Sequence, residues 1–232
     1  MLFRSLEHPE RFYLIFTRPQ WKSWLVKGAF IIAGYTLVLA LHFVASWLGW
    51  RSFQSWLMIA GVPLSILTAI YTAYLFAQAK ARDMWQNPLL PPDLFVQALL
   101  DGAAALLLVL VTFQGIYADE AFLPAARREN LFLLWILAIS SLLHLLMIWG
   151  EVSLTHPTAH ARLAIWEMVK GRYKSDFWIG TVLSFAGGLI PALALFGVIS
   201  ISLGVASAPL ALIGLMLYEN AYVQAGQSVP LA

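Results

Sequence analysis

Long apolar runs alternate with short polar segments along almost the whole chain. A helix needs roughly 20 mostly apolar residues to cross a hydrocarbon core about 30 Å thick, and it satisfies its own backbone hydrogen bonds there. Runs of that length cover residues 24–48, 55–78, 94–117, 131–149, 177–198 and 203–224. The pattern predicts an all-α polytopic membrane protein, a bundle of about six transmembrane helices forming a single integral membrane domain over residues 1–232.

Two polar segments need a separate interpretation. Residues 1–22 mix charge and proline where a signal peptide would need a continuous apolar core, so we expect an interfacial lead-in rather than a cleavable signal. Residues 156–176 place basic side chains around Leu163 and Trp166. This segment is either a short amphipathic helix on the cytoplasmic membrane surface or a solvated loop, and the sequence leaves both open.

Lysine and arginine are unequally divided between the two sides of such a bundle. If the six spans alternate in direction, one side carries only Arg51, Arg127 and Arg128. The other side carries eleven: Arg4, Arg11, Arg18, Lys22, Lys27, Lys80, Arg82, Arg162, Lys170, Arg172 and Lys174. Because cytoplasmic loops carry the basic excess, we predict an inner-membrane protein with both termini in the cytoplasm. Residues 118–130 then form the main extracytoplasmic loop.

Composition agrees with a membrane location and narrows the possible functions. The chain is 61% hydrophobic and 11% charged, with a mean hydropathy of +0.77, which is outside the range of soluble domains. Topology accounts for the basic residues, so no nucleic-acid partner is expected. The chain has no cysteine, so it cannot itself ligate an iron–sulfur cluster or form a disulfide. We expect no haem, iron–sulfur cluster or metal in it.

Ionisable side chains inside the apolar runs are the main functional candidates, because burying them in hydrocarbon costs several kcal/mol. Asp101 lies near the cytoplasmic end of the third run and Glu219 near that of the sixth. His144 and Glu151 are seven residues apart on the fourth, and hence on one helix face. We predict that these four residues line a cytoplasmic proton path, with Tyr74 as a further member.

Two of these residues also have a structural interpretation. Glu151 sits at a helix end, where its carboxylate can reach interfacial water. His144 can be a core histidine bonded to a serine or to a backbone carbonyl. No catalytic residue in the strict sense is predicted.

A second candidate site lies toward the opposite side. His42 is followed by Trp47, and an imidazole donor beside flat aromatic walls suits a quinone head group, so we predict that both residues bind quinone. Interfacial aromatic belts explain Trp47 equally well, but they do not explain His42. His42 and His144 lie at levels about 20 Å apart at a rise of about 1.5 Å per residue. One haem therefore cannot be bound by both.

Three separated segments carry a family resemblance. They are HPERFYLIFTRPQWKSWLVKGAF (8–30), YTAYLFAQAKARDMWQNPLLP (71–91) and GLMLYENAYVQAGQSVPLA (214–232). Together and in this order they resemble the NrfD-type polysulfide reductase membrane-subunit family.

The resemblance implies a membrane anchor that binds quinone or quinol in a respiratory oxidoreductase complex. Menaquinone or ubiquinone would be its substrate, and the chain would be the quinone-reactive subunit of that complex rather than an enzyme alone. The implied partners are a ferredoxin-like iron–sulfur subunit, which exchanges electrons on the extracytoplasmic side, and a molybdopterin oxidoreductase subunit. The family is also linked to proton uptake or translocation through buried acidic residues.

The chain departs from the family pattern at its start. Family members usually carry an initial pair of helices before the segment that stands here at 8–30, so a small membrane subunit is expected to supply further helices, or the chain is a split or truncated version. Three other functions stay open. They are a purely structural anchor for a periplasmic-facing molybdoenzyme, a transporter, for which we find no internal repeat, and a haem-carrying cytochrome b subunit.

Overall fold

The computed structural model describes residues 13–80, 82–116 and 122–229, and these are folded into helices without any β-strand. In chain order the helices are α1 (Leu14–Thr17), α2 (Trp24–Trp47), α3 (Arg51–Ala77), α4 (Leu90–Ile116), α5 (Phe122–Ser153), α6 (Ala159–Val169), α7 (Lys174–Leu195), α8 (Ile201–Ala206) and α9 (Ala208–Ser228). A 3₁₀ turn, Asp83–Gln86, precedes α4. Within the described residues, six segments are long and apolar enough to cross a membrane, which confirms the predicted multi-pass helical architecture.

The helices extend beyond the apolar runs that predicted them. Helix α3 begins at Arg51, four residues before the predicted run, and α5 continues to Ser153. The sixth span is made of two pieces, since α8 ends at Ala206 and α9 starts at Ala208 with Pro209 in its first turn. Hydropathy records the apolar centre of a span, whereas a helix continues into polar residues while its backbone bonds can form.

The first compact unit comprises residues 1–79 and contains α1, α2 and α3. Helices α2 and α3 pack against each other and are joined through Gly49, whose φ of +72° suits a residue without Cβ. At the other end of the pair, the rings of Trp24 and Tyr74 stack with centroids 4.4 Å apart. The Trp24 amide donates to Oε1 of Gln78 at 2.9 Å, which ties the start of α2 to the end of α3.

The second compact unit comprises residues 80–232 and contains the remaining helices. Its closest helix pair is α7 against α9. A Cβ on Gly180 would lie 2.7 Å from the backbone nitrogen of Tyr218, and one on Gly187 would lie 2.7 Å from Cα of Ala211. Small residues permit this close approach, as in many membrane helix pairs. Helices α4 and α5 pack on each other, and α5 also packs on α7.

The segment between α3 and α4 is tied to the end of α9. Nη1 of Arg82 donates to the carbonyl oxygens of Gly226 at 3.3 Å and Val229 at 2.6 Å. A cation suits these carbonyls, which have no partner within the helix. Pro91 stands in the first turn of α4, where proline is tolerated because the amide there has no helical acceptor.

Residues 156–176 contain a helix, α6. The Thr158 side chain caps it by accepting a hydrogen bond from the Ala161 amide at 3.1 Å. Helix α6 contacts α9 and the 3₁₀ turn, burying Ile165 and Met168, whereas Leu163 and Trp166 are exposed. Its position on the cytoplasmic membrane surface stays a prediction.

Two predicted segments fall partly outside the described residues. Of the lead-in, residues 1–12 are not described, and the described remainder contains α1. Of the predicted extracytoplasmic loop, residues 118–121 are not described, and α5 already begins at Phe122.

Candidate functional site

His144 on α5 is completely buried and pairs with a carboxylate on the neighbouring helix. Its Nδ1 lies 3.0 Å from Oδ1 of Asp93, near the start of α4, and Asp93 is only 7% exposed. The partner of His144 is therefore an acid, and neither a serine nor a carbonyl. A carboxylate in the first turn of a helix also faces the positive end of the helix dipole.

The second oxygen of Asp93 is bonded as well. Nε2 of Gln97, one turn further along α4, donates to Oδ2 at 2.8 Å. An ionised Asp93 can only accept, so Nδ1 of His144 then carries the proton that joins the two residues. Nε2 of His144 remains buried, and no described residue bonds to it. The exchangeable position of the imidazole is therefore Nε2.

Two tyrosines of α9 enclose the pair. The Tyr218 ring stands edge-on to His144 with centroids 4.8 Å apart, and Tyr218 is buried. Tyr222, one turn further, is also buried, and its hydroxyl donates to the Met84 carbonyl at 3.2 Å. These rings close the cluster on the α9 side.

Glu151 lies two turns beyond His144, near the C-terminal end of α5. It is 5% exposed, and its Oε2 accepts a hydrogen bond from Nδ2 of Asn87. Oδ1 of Asn87 accepts from the Leu89 amide at 3.0 Å, which fixes the orientation of the Asn87 side chain. Glu151 is therefore not solvated at the helix end, and its Oε1 is buried without a partner among the described residues.

A small cavity connects these groups. It is lined by Leu89, Leu90, Asp93, Met147, Glu151, Tyr218 and Tyr222, with about 10 Å³ available to the centre of a water molecule. That is close to the room that one water needs. Glu151 and Asp93 thus face one polar space between α4, α5 and α9.

Asp101 and Glu219 lie in the same unit, and both are less buried than His144. Asp101 on α4 is half-buried and interacts electrostatically with His144. Glu219 on α9 is exposed, yet it interacts electrostatically with Asp101, His144 and Asp93. The structure therefore brings Asp101, His144, Glu151 and Glu219 into one region, with His144 and Glu151 inside it and Glu219 on its surface.

The other predicted residues belong to the first unit. Tyr74 stacks on Trp24 and is partly exposed. Trp47 is 83% exposed and lines a shallow surface cavity with Phe43 and Ser46. His42 is half-buried and is not among the residues lining that cavity. Their roles in proton transfer and quinone binding stay predictions.

Asp93, Gln97 and Asn87 are the polar residues of the cluster that the sequence analysis missed. In the sequence the third apolar run begins at Leu94, and Asp93 stands among the prolines that precede it. The sequence does contain a signal for them, because the polar residues Asp93, Gln97 and Asp101 recur at intervals of four and therefore share one helix face. No group of three or more potential metal-ligating side chains occurs in the part of the chain that the structure describes.

These features define a polytopic α-helical membrane protein with a buried histidine–carboxylate network between its helices. The family model described as Polysulphide reductase, NrfD, matches residues 1–230, nearly the whole chain. The chain belongs to the NrfD polysulphide reductase family and is thus a membrane subunit of a quinone-interacting oxidoreductase complex. No curated protein and no solved structure matches it.

Proposed function

We propose that this chain binds quinone or quinol in the membrane and exchanges electrons with an iron–sulfur subunit on the extracytoplasmic side. Protons move with this reaction through the buried cluster of α4, α5 and α9. Its further partner is a molybdopterin oxidoreductase subunit. Family membership supports the quinone and partner assignments, and the buried cluster supports the proton assignment.

The observation that carries the proton assignment is the His144–Asp93 pair. Taking two ionisable groups out of water costs several kcal/mol, and apolar residues of similar volume are often at least as stabilising. The pair therefore contributes little to the free energy of folding. Its unpartnered His144 Nε2 and the Glu151 Oε1 nearby are groups that can bind and release protons.

The chemistry of the cluster follows from its hydrogen bonds. Reduction of a quinone to a quinol takes up protons as well as electrons. His144 can accept a proton at Nε2, because the Asp93 carboxylate on Nδ1 stabilises the resulting imidazolium. Release of a proton returns the neutral imidazole held in its original orientation. Gln97 keeps the carboxylate in place through both states.

The test is the substitution Asp93→Asn in the purified complex reconstituted in liposomes. Asparagine keeps the volume but cannot stabilise an imidazolium, so quinone-linked proton uptake should fall by at least about tenfold. A pH-sensitive dye follows the uptake, and electron transfer is measured in the same sample. The matched control is Glu167→Gln on α6, whose oxygen caps the Arg172 amide and which belongs to neither the cluster nor its cavity.

Unchanged proton uptake by the Asp93→Asn complex would contradict the proton assignment. If electron transfer also continued at its normal rate, the buried cluster would have no part in the quinone reaction.

A further inference from the structure

A second, larger cavity opens where α5 is followed by α6. Its volume is about 290 Å³, and its polar lining residues include Asp83, Gln86, Asn87, Glu151, Thr155 and His156. Gln86 and Thr155 are exposed, so the cavity reaches the protein surface. We call this cavity the vestibule.

Glu151 belongs to both cavities. It lines the vestibule, and it also lines the small cavity that contains Asp93. The side chain is almost completely buried, and Oε1 bonds to no described residue. One carboxyl group therefore stands between a surface-connected space and the buried His144–Asp93 pair.

Titratable groups surround the outer side of Glu151. His156 places Nε2 2.8 Å from the Glu151 carbonyl oxygen. A carbonyl can only accept, so Nε2 of His156 carries the proton of this hydrogen bond. His160 lies with Nδ1 3.9 Å from Oδ2 of Asp83, close enough to form an ion pair when the imidazole is protonated.

The inner side of Glu151 faces a different set of groups. Asp93 on α4 and the hydroxyl-bearing Tyr218 and Tyr222 on α9 line the small cavity with it. Asn87 donates to its Oε2. Glu151 thus shares the small cavity with Asp93, while Asn87 holds its Oε2 and no described residue bonds to its Oε1.

The vestibule also lies on the side with the basic excess. Its lining comes from the 3₁₀ turn and from the residues between α5 and α6, and these segments adjoin Lys80, Arg82 and Arg162. The positive-inside rule predicts that this side is cytoplasmic.

We propose that the vestibule is the entrance through which cytoplasmic protons reach the buried cluster, and that Glu151 transfers them from vestibule water to Asp93. This inference rests on the proposed function. The Glu151 carboxylate binds a proton from the vestibule and becomes a carboxylic acid. It then gives that proton to the Asp93–His144 pair through the small cavity and returns to the carboxylate. Asp83 and His156 line the vestibule from which Glu151 receives the proton.

Water access to the vestibule is tested with a single introduced thiol. The chain has no cysteine, so labelling read on this chain has no background. In the reconstituted complex, Thr155→Cys should react with a membrane-impermeant thiol reagent added on the cytoplasmic side. The control is Leu142→Cys, an exposed position on the membrane-spanning part of α5, which should react at least about tenfold more slowly because the reacting thiolate needs water. Bulky labelling at position 155 should also slow proton uptake.

The transfer role of Glu151 is tested with Glu151→Gln, which keeps the Asn87 contact but cannot carry a proton. Proton uptake should fall at least about tenfold, whereas Glu151→Asp should recover part of it. Glu167→Gln is again the matched control. Recovery by the shorter acid distinguishes a proton carrier from a purely structural side chain.

The two proposals fail in different ways. If Asp93→Asn abolishes proton uptake while Glu151→Gln and the Thr155 label leave it unchanged, the vestibule is not the entrance and the buried cluster keeps its role. If Asp93→Asn itself leaves uptake unchanged, the proposed function fails. Equal labelling of Thr155→Cys and Leu142→Cys would also overturn the vestibule as a water-filled entrance.

Discussion

At the scale of single residues, Asp93 is the centre of the cluster because both of its oxygens have a partner. His144 occupies one oxygen and Gln97 the other, at 3.0 Å and 2.8 Å. The sequence singled out His144 and Glu151 as functional candidates, and both side chains are buried. It could not reveal the His144–Asp93 contact, because the two residues come from different helices, and helix packing is not visible in hydropathy or spacing.

Gln97→Met is a residue-scale prediction. Methionine fills a similar volume but removes the donor, so a buried carboxylate oxygen loses its hydrogen bond, at a cost of about 1–3 kcal/mol in the free energy of unfolding. Denaturant unfolding of the detergent-solubilised chain measures this. Gln224→Met, at an exposed position of α9, is the control and should change the stability little. Equal stability of the two variants would show that the Gln97 bond contributes nothing.

At the scale of elements, the distance between α7 and α9 is set by residues without side chains. Gly214 packs where a Cβ would lie 2.7 Å from Oγ of Ser184 and 2.9 Å from the Gly180 carbonyl oxygen. This packing positions Tyr218, one turn further along α9, against His144. The helix ends, by contrast, were predicted less well than the helices themselves, because prolines and acids in a first turn resemble a loop in the sequence.

Gly214→Ala is the corresponding prediction, with Gly102→Ala as its matched control. The new methyl at 214 must push α7 and α9 apart, so we expect a loss of about 1–3 kcal/mol in the free energy of unfolding and a slower proton uptake. A Cβ at Gly102 meets nothing within 4 Å, so alanine there should be neutral or slightly stabilising. Thermal unfolding in detergent compares the two. Similar stability would indicate that the helices can move apart at no cost.

At the scale of the whole molecule, the sequence predicted the number of spans, the helical class and the family. It did so because the membrane imposes a length and a composition on every span. The orientation, the partners and the quinone residues are not fixed by that constraint. They depend on the surrounding membrane and on other subunits, and they stay proposals.

The proposed quinone residues lead to a prediction at this scale. The sequence predicts quinone binding by His42 and Trp47, whereas the buried His144–Asp93 cluster lies in the other unit. His42→Ala should therefore raise the KM for quinone severalfold, by loss of a hydrogen bond to the head group, while the ratio of protons to electrons stays unchanged. Steady-state assays with a soluble quinone analogue measure both quantities. Thr36→Ala, at an exposed position of α2 outside the cavity that Trp47 lines, is the control.

An unchanged KM in the His42→Ala complex would place the quinone elsewhere. A changed ratio of protons to electrons would show instead that His42 takes part in proton transfer.

The hydrogen bonds from Arg82 to the carbonyl oxygens at the end of α9 link two parts of the structure mechanically. The vestibule wall starts at the very next residue, Asp83, and the tyrosines that enclose the inner cavity are carried by α9. Arg82 therefore connects the vestibule lining to the C-terminal end of α9. A displacement of that end of α9 would also move the vestibule lining, so a partner protein that bound there would alter proton entry without contacting Glu151.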